Sequence, residues 1–216
     1  MISYIGVYGA SGFGKEVMPL ARQQYPTLEK QQFVFIDDSG AGTSLNGYQV
    51  LSYEDFLKYP DQKKAVTIAI ANSQVREKLV KRLTEDQIQH LNIQASNTVI
   101  LDEVQIGEGS LLCPFTCLTS NIKIGKFFHA NIYSYVAHDC VIGDYVTFAP
   151  GVKCNGNIHI EDHAYIGTGA VIKQGTPDKP LVIGKGAVVG MGAVVTKSVP
   201  PGVTVIGNPA RILEKK

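Results

Sequence analysis

The chain has 216 residues, enough for one or two small domains with buried cores. Its 20 lysines and arginines nearly balance 19 acidic residues, which argues against binding nucleic acid through overall charge. No apolar run approaches the roughly 18 residues of a membrane span, and four scattered cysteines form no zinc-ligand pattern, so we expect a cytoplasmic protein with free thiols, no metal and no membrane insertion.

The first 95 residues alternate apolar strands with helical segments. Residues 3–9 and Phe33–Ile36 are predicted as strands, with a helix over 15–24 between them. A third strand over 65–71 precedes a helix that includes residues 76–83. This β-α-β order predicts an α/β Rossmann-like domain over residues 1–95.

Parallel strands joined by helices bind ligands at the carboxyl ends of the strands. Three features follow strand ends there: the glycine turn of residues 9–14, an acidic pair, and the segment that begins at Ala71. The glycine spacing is GxxGxG, which differs from the dinucleotide motif, but its glycines still allow the backbone to approach a phosphate at a helix N-terminus. A tight strand-to-helix turn without a ligand is the alternative. The predicted substrate-binding residues are Ser11, Gly12, Phe13, Asp37, Asp38 and Ala71.

A six-residue repeat begins at Ile100. Aliphatic or small residues recur at every sixth position through Ile172, and a second small or apolar residue stands four positions after each of them through Ala170. Such a period predicts a solenoid of triangular coils with three hexads in each coil, here over residues 96–216. The repeat breaks at residues 175–180 and resumes at Ile183, which predicts an outward loop of about five extra residues.

The repeats resemble those of the hexapeptide-repeat acyltransferases, which fold as an all-β left-handed parallel β-helix. The sequences Tyr-Gly-Ala-Ser-Gly-Phe-Gly at residues 8–14, Asp37-Asp38, and the C-terminal run of residues 188–211 are similar to the sialic acid O-acetyltransferase and bacillosamine N-acetyltransferase family. The resemblance covers nearly the whole chain. It implies transfer of an acetyl group from acetyl-CoA to the 4-amino group of a UDP-linked 4-amino-4,6-dideoxy sugar.

The attacking amine must lose a proton, and a histidine with a pKa near neutrality suits that role. His138 replaces the small residues Ser120 and Gly156 of the neighbouring coils, so the repeat itself does not require it. The resemblance identifies His138 as general base, Asp139 as its partner and Asn131 as a supporting residue. We expect His129, His159 and His163 to be solvated.

The resemblance also implies a donor site and a homotrimer. Its implied acetyl-CoA contacts are Thr147, Gly167, Thr168, Gly190 and Met191. Asn208–Arg211 is a further candidate for the nucleotide end. Relatives often have histidine at the positions of Phe13 and Thr147. In this chain, backbone groups near Phe13 remain to contact the sugar phosphates. The Thr147 hydroxyl or backbone N–H remains to polarise the thioester carbonyl.

Three other functions remain open. A hydroxyl of a sialic-acid-type sugar would accept the acetyl group by the same chemistry. A non-enzymatic β-helix, or a regulator that senses a sugar nucleotide, would need no base. The sequence also leaves open UDP, GDP or CMP as the nucleotide.

Overall fold

The structure is a computed structural model that describes residues 2–59 and 63–214. The chain divides into two compact units, Met1–Ser96 and Asn97–Lys216. Each unit has its own apolar core, as expected where the hydrophobic periodicity changes along a chain.

The first unit is a six-stranded sheet with helices. The sheet order is β3-β4-β2-β1-β5-β6, with β3 antiparallel to β4 and the other neighbours parallel. A short 3-10 helix, Lys30–Gln32, precedes β2. The elements are β1 Tyr4–Tyr8, α1 Gly12–Gln24, β2 Phe33–Ile36, β3 Ser44–Leu45, β4 Tyr48–Leu51, α2 Tyr53–Lys58, β5 Lys64–Ile68, α3 Ser73–Glu85, β6 Gln89–His90 and β7 Ile93–Gln94.

The predicted β-α-β unit is present, with shifted boundaries. Helix α1 begins at Gly12, three residues before the predicted start, because the glycine turn continues directly into its first turn. Strand β5 ends at Ile68, three residues early, since Asn72 caps α3 by accepting N–H groups from Gln74 and Val75. The sequence patterns did not predict the β3–β4 hairpin or α2.

The second unit is the predicted left-handed β-helix, built from strands of two or three residues. Its strands are β8 Val99–Ile100, β9 Val104–Ile106, β10 Leu111–Leu112, β11 Cys117–Leu118, β12 Ile122–Ile124, β13 His129–Ala130, β14 Tyr135–Val136, β15 Val141–Ile142, β16 Thr147–Phe148, β17 Lys153–Cys154, β18 Ile158–Ile160, β19 Tyr165–Ile166, β20 Val171–Ile172, β21 Leu181–Ile183, β22 Val188–Val189, β23 Val194–Val195, β24 Thr204–Ile206 and β25 Arg211–Ile212.

These strands form three faces. The first sheet has the order β25-β24-β22-β19-β16-β13-β10, the second β23-β20-β17-β14-β11-β8, and the third β21-β18-β15-β12-β9. Neighbours pair in parallel except β24 with β25. Inward side chains of all three sheets meet in one core, where the rings of Phe128 and Phe148 pack edge to face at 5.2 Å.

The register confirms the six-residue repeat. Ala130 pairs with Phe148 and Phe148 with Ile166, an offset of 18 residues, or three hexads. Across the predicted break Ile160 pairs with Ile183, an offset of 23, so the loop adds five residues as expected. Because every coil is anchored to its neighbours by this pairing, residues at an offset of 18 lie one above the other.

Two corners of the triangle carry the predicted site residues of the second unit. We call the turns that lead from the second sheet to the third the His138 corner: residues 101–103, 119–121, 137–139, 155–157, 173–180 and 196–198. We call the turns that lead from the first sheet to the second the glycine corner: residues 113–116, 131–134, 149–152, 167–170 and 190–193.

Candidate active site

The turn that carries His138 uses a left-handed residue. Asp139 has φ of +58°, and Asn121 and Asn157, one coil away on either side, have +57° and +55°. Asparagine and aspartate tolerate this conformation better than most residues. The Asp139 N–H donates to the Ser120 carbonyl at 3.1 Å and the Asn157 N–H to the His138 carbonyl at 3.0 Å, so both neighbouring coils fix this turn.

His138 and Asp139 form a hydrogen-bonded pair. His138 Nδ1 lies 2.7 Å from Asp139 Oδ2, and Asn121 Nδ2 donates to the other carboxylate oxygen at 3.2 Å. The hydrogen bond from His138, with a smaller contribution from Asn121, holds the pKa of Asp139 below its ordinary value. A charged carboxylate only accepts, so Nδ1 donates this hydrogen bond, and in the neutral form of the ring the lone pair is on Nε2.

The hydrogen bond between His138 and Asp139 orients the two side chains but contributes little to the free energy of folding. The two side chains are 48% and 47% exposed, and exposed ion pairs contribute little free energy because solvent screens them. Its effect is therefore to fix the tautomer and the plane of the imidazole. A half-exposed imidazole of fixed orientation is suited to proton transfer.

Gly156 makes room for the imidazole ring. A Cβ atom at this position would lie 2.5 Å from Cε1 and 2.6 Å from Nε2 of His138, closer than any real carbon contact. The ring therefore lies against the bare backbone of the next coil. The equivalence of these two positions was visible in the sequence, but the steric role of Gly156 was not predicted, because it depends on how the ring packs on the next coil.

The structure places four of the five predicted donor-site residues, all except Thr147, at the glycine corner. The turn of Gly167 and Thr168 packs directly on the turn of Gly190 and Met191, since a Cβ on Gly167 would lie 2.6 Å from the Met191 nitrogen. Thr168 is exposed and the Met191 side chain is 81% exposed. These residues lie together but at a different corner from His138.

Asn131 also belongs to the glycine corner. Its side-chain oxygen accepts the N–H of Ile132 at 2.7 Å, and its carbonyl accepts the N–H of Ser134. Thr147 lies within β16 of the first sheet and is only 5% exposed. One chain therefore does not bring Asn131 or Thr147 to the turn that carries His138.

The other histidines differ from expectation in two cases. His159 is exposed, as predicted. The expectation for His129 is wrong: its side chain is 1% exposed in β13, although its position points away from the solenoid core. His163 is partly buried, because its ring stacks on Tyr145 at 5.2 Å in a column of corner residues.

In the first unit, the glycine turn is held to the end of β2. The Gly9 N–H donates to the Ile36 carbonyl at 2.8 Å, and a Cβ on Gly14 would meet the Gly9 carbonyl oxygen. Only glycine at position 14 allows α1 to pass this close to the turn. Ser11 is the N-cap of α1 and makes no side-chain capping bond, while Ser11 and Gly12 are exposed and Phe13 is partly buried.

Both predicted acidic residues make internal hydrogen bonds. Asp37 Oδ2 accepts the Ala10 N–H at 3.1 Å, and Oδ1 accepts the backbone and hydroxyl groups of Ser39 at 3.0 and 2.6 Å. The Ser39 hydroxyl, with Ala10 contributing less, lowers the pKa of Asp37. Asp38 Oδ1 accepts the N–H of Tyr53 at the start of α2. Asp37 therefore ties the end of β2 to the glycine turn.

Arg76 is a further residue of this region, which sequence patterns did not predict. This α3 side chain is fully buried, and its Nη1 donates to the carbonyls of Ile70 and Ala71 at 2.7 and 3.2 Å. It therefore shapes the segment after β5, where Ala71 is exposed. A charged residue in an amphipathic helix is usually exposed, so only the sheet packing identifies this role.

The part of the chain that the structure describes holds neither a metal cluster nor a membrane-spanning helix. No group of three or more histidine, cysteine, aspartate or glutamate side chains among these residues is arranged to hold a metal ion. None of the three described helices is both long and apolar enough to cross a lipid bilayer.

Known proteins resemble this chain in sequence. Residues 4–83 match the PglD N-terminal domain family. The GDP-perosamine N-acetyltransferase of Escherichia coli O157:H7 is 52% identical over 212 residues, which cover 97% of this chain and 96% of that enzyme.

Two solved structures are also similar. WeeI from Acinetobacter baumannii AYE is 83% identical, with a TM-score of 0.97 over 98% of this chain and 100% of that one. The acetyltransferase domain of PglB from Neisseria gonorrhoeae FA1090, in complex with acetyl coenzyme A, is 28% identical, with a TM-score of 0.86 over 99% and 100% of the chains.

The fold and these relatives define a hexapeptide-repeat acyltransferase. Within that class, the chain belongs to the family of acetyl-CoA-dependent sugar N-acetyltransferases that combine this β-helix with a PglD-type N-terminal domain.

The contact between Gly156 and His138 predicts a sensitive position. In Gly156→Ala the methyl group displaces the imidazole, and a misplacement of about 1 Å lowers kcat by about 10²-fold. Steady-state kinetics across pH measures this effect. Gly40→Ala is the matched control, because its Cβ would meet only ordinary contacts, and it should retain full turnover. Wild-type kcat in Gly156→Ala would show that the ring position is not critical.

Proposed function

We propose that the protein acetylates the 4-amino group of a nucleotide-linked 4-amino-4,6-dideoxy sugar, with a GDP-linked sugar of the perosamine type as acceptor. The support for GDP and perosamine is the 52% identity to the GDP-perosamine enzyme over nearly the full length of both chains. A UDP-linked sugar of the bacillosamine type is the second candidate, favoured by the sequence resemblance of residues 8–14, Asp37-Asp38 and residues 188–211.

In the proposed reaction His138 is the general base. Its Nε2 takes a proton from the sugar amine as the nitrogen attacks the thioester carbonyl carbon, so that an N–C bond forms and the C–S bond breaks. The sulfur leaves as the CoA thiolate and takes up a proton. Asp139 holds the ring in the required tautomer and stabilises the imidazolium.

The supporting observation is the oriented His138–Asp139 pair with Nε2 directed away from its partner. The cysteines of the chain are free thiols, which supports a reducing cytoplasmic location. In the first unit, we propose that the glycine turn and the segment at Ala71 bind the nucleotide and phosphates, positioned by Asp37 and Arg76.

Removal of the imidazole tests the base. His138→Ala should lower kcat by about 10²–10⁴-fold and leave both dissociation constants near normal. A higher pH should restore part of the rate, because more of the amine is then unprotonated. Asp139→Asn should lower kcat by a smaller factor, since it changes the orientation of the ring and the nearby charge without removing the base. Full kcat in His138→Ala between pH 6 and 9 would exclude this role.

Acceptor binding is tested through Asp37. Asp37→Ala removes the acceptor for the Ala10 N–H and for Ser39, so the glycine turn loosens and the acceptor KM rises by about tenfold or more. Asp37→Asn retains one accepting oxygen and should show a smaller rise. Acetyl-CoA affinity should not change, and neither KM should change in the control Asp55→Ala, whose partners are Ser52 and Lys58.

The same assay compares the nucleotides. GDP- and UDP-linked 4-amino sugars are supplied separately to the unmodified enzyme, and the products are identified by mass spectrometry. We expect a higher kcat/KM for the GDP-linked sugar. Preference for the UDP-linked sugar would select the second candidate, and acetylation of a hydroxyl alone would refute N-acetylation.

We also propose a homotrimer with acetyl-CoA between chains. The support is the separation of His138 from Asn131, Gly167, Thr168, Gly190 and Met191, which belong to different corners of one β-helix. A neighbouring copy would supply the glycine corner that completes the site, as in a closed cyclic assembly. Thr147 is buried, so a direct contact with the thioester would need the hydroxyl to become accessible.

Mixed assemblies test this proposal. His138→Ala and Thr168→Trp should each be inactive alone, because one lacks the base and the other fills the donor groove. Mixed and reassembled, they should regain activity at junctions that combine an intact His138 with an intact Thr168. Light scattering should give three times the 23.4 kDa of one chain. A monomer, or no recovery on mixing, would contradict the shared site.

A further inference from the structure

One link between coils at the His138 corner is made by a side chain. In the equivalent link one coil earlier, the Ala137 N–H donates to the Cys154 carbonyl at 2.8 Å, and the backbone of Lys173 makes the same bond one coil later. The register places Asn155 between these two positions, and its side-chain Nδ2 donates to the Ile172 carbonyl at 2.8 Å. In the part of the chain that the structure describes, the backbone N–H of Asn155 does not bond to that carbonyl. The Asn155 amide therefore takes the place of a backbone bond.

The oxygen of the same amide is bonded as well. A carbonyl only accepts, so Nδ2 must face Ile172 and the amide oxygen faces the other way. There Asn155 Oδ1 accepts the Tyr135 hydroxyl at 2.7 Å. Tyr135 is partly buried in β14, the strand that leads into the turn of His138. Asn155 is therefore bonded both to the coil that carries His138 and to the coil that follows its own.

Asn155 directly precedes the glycine on which the imidazole lies. The hydrogen bond to Asp139 holds the Nδ1 end of the His138 ring, and the Cε1 and Nε2 atoms lie against Gly156, where no Cβ would fit. Because the peptide bond between Asn155 and Gly156 is planar, a shift of the Asn155 carbonyl moves the Gly156 backbone with it. The Cys140 thiol also donates to that carbonyl, at 3.1 Å. The position of the Nε2 end of the ring thus depends on how firmly Asn155 is held.

We propose that Asn155, held by Tyr135, is a positioning residue for the acetyl transfer: it fixes the backbone that sets the Nε2 end of the His138 ring. The proposal rests on the proposed function, in which Nε2 takes the proton of the sugar amine. Neither Asn155 nor Tyr135 needs to touch a substrate. A purely structural role would lower the free energy of unfolding and leave the kcat of the folded enzyme unchanged.

Steady-state kinetics of the full-length enzyme separates these roles. Asn155→Ala removes both bonds of the amide and should lower kcat about tenfold, less than the loss for a ring misplaced by a full ångström, with both KM values unchanged. Tyr135→Phe removes only the hydroxyl and should lower kcat by a smaller factor. Thr119→Val is the matched control at the equivalent position of the coil before His138, because it keeps the backbone bond to Val136 at 3.0 Å, and it should retain full kcat.

Unchanged kcat in folded Asn155→Ala overturns the proposal, as does an equal loss in Thr119→Val. If Asn155→Ala does not fold, the comparison of Tyr135→Phe with Thr119→Val decides: a lower kcat in Tyr135→Phe alone supports the proposal, and equal kcat values overturn it.

A double-variant cycle tests whether Asn155 acts through the ring. In His138→Ala, the further change Asn155→Ala should cause no additional loss, because no imidazole remains to be positioned. A second loss of about tenfold would mean that Asn155 acts independently of His138 and would overturn the proposal.

Nuclear magnetic resonance gives a readout that needs no activity. With histidine labelled by ¹³C at Cε1, the signal of His138 is the one missing from His138→Ala. It should shift in Asn155→Ala and in Tyr135→Phe but not in Thr119→Val, and an unshifted signal in Asn155→Ala overturns the proposal. A failure of the proposed function would look different: His138→Ala would keep full kcat, while the signal of His138 would still shift in Asn155→Ala.

Discussion

Parallel pairing at an offset of 18 residues is the constraint on which the candidate active site depends. Backbone hydrogen bonds from each strand to the next coil stack equivalent positions about 4.8 Å apart. His138 therefore has a fixed neighbour on each side, Ser120 in one direction and Gly156 in the other. The orientation of the imidazole follows from these neighbours, because only a residue without a Cβ leaves room for the ring.

The turns of the His138 corner close the coils and also carry the candidate active-site residues. Four successive coils turn at the His138 corner through a left-handed residue, Glu103 in the first of them, and asparagine or aspartate occupies this place at positions 121, 139 and 157. The side chains of Asn121 and Asp139 extend from neighbouring coils close enough to bond to each other. Asn121 and His138 hold the Asp139 carboxylate from two sides, so the residue that closes the turn also orients the imidazole.

In the first unit, hydrogen bonds from two charged side chains fix the loops that follow β-strands. Asp37 and Arg76 bond to backbone groups at the ends of β2 and β5, next to the exposed residues Ser11 and Ala71. Charge-assisted bonds of this kind are stronger than those between neutral groups, so they fix loops that lack regular structure. In the proposed acceptor site, the side chains that position the loops are thus separate from the backbone groups offered to a ligand. It accords with the membership of the chain among sugar N-acetyltransferases, whose acceptors carry phosphates.

The sequence by itself determined what depends on a short period or on neighbouring residues. The six-residue repeat predicted the β-helix and its five-residue insertion, and the strand patterns predicted β1, α1 and β2. His138 and Asp139 are adjacent in sequence, so their pairing was also predictable.

Only the tertiary structure decided the rest. Three features depend on packing between segments, which no single segment encodes. They are the burial of His129, the internal hydrogen bonds of Asp37 and Arg76, and the close contact of Gly156 with His138. The hairpin of β3 and β4 was missed because its strands are short and depend on the edge of β2 for pairing. Hydrophobic periodicity reports which side of a strand faces a core, whereas hydrogen-bond partners and steric gaps are set by the segments that fold against it.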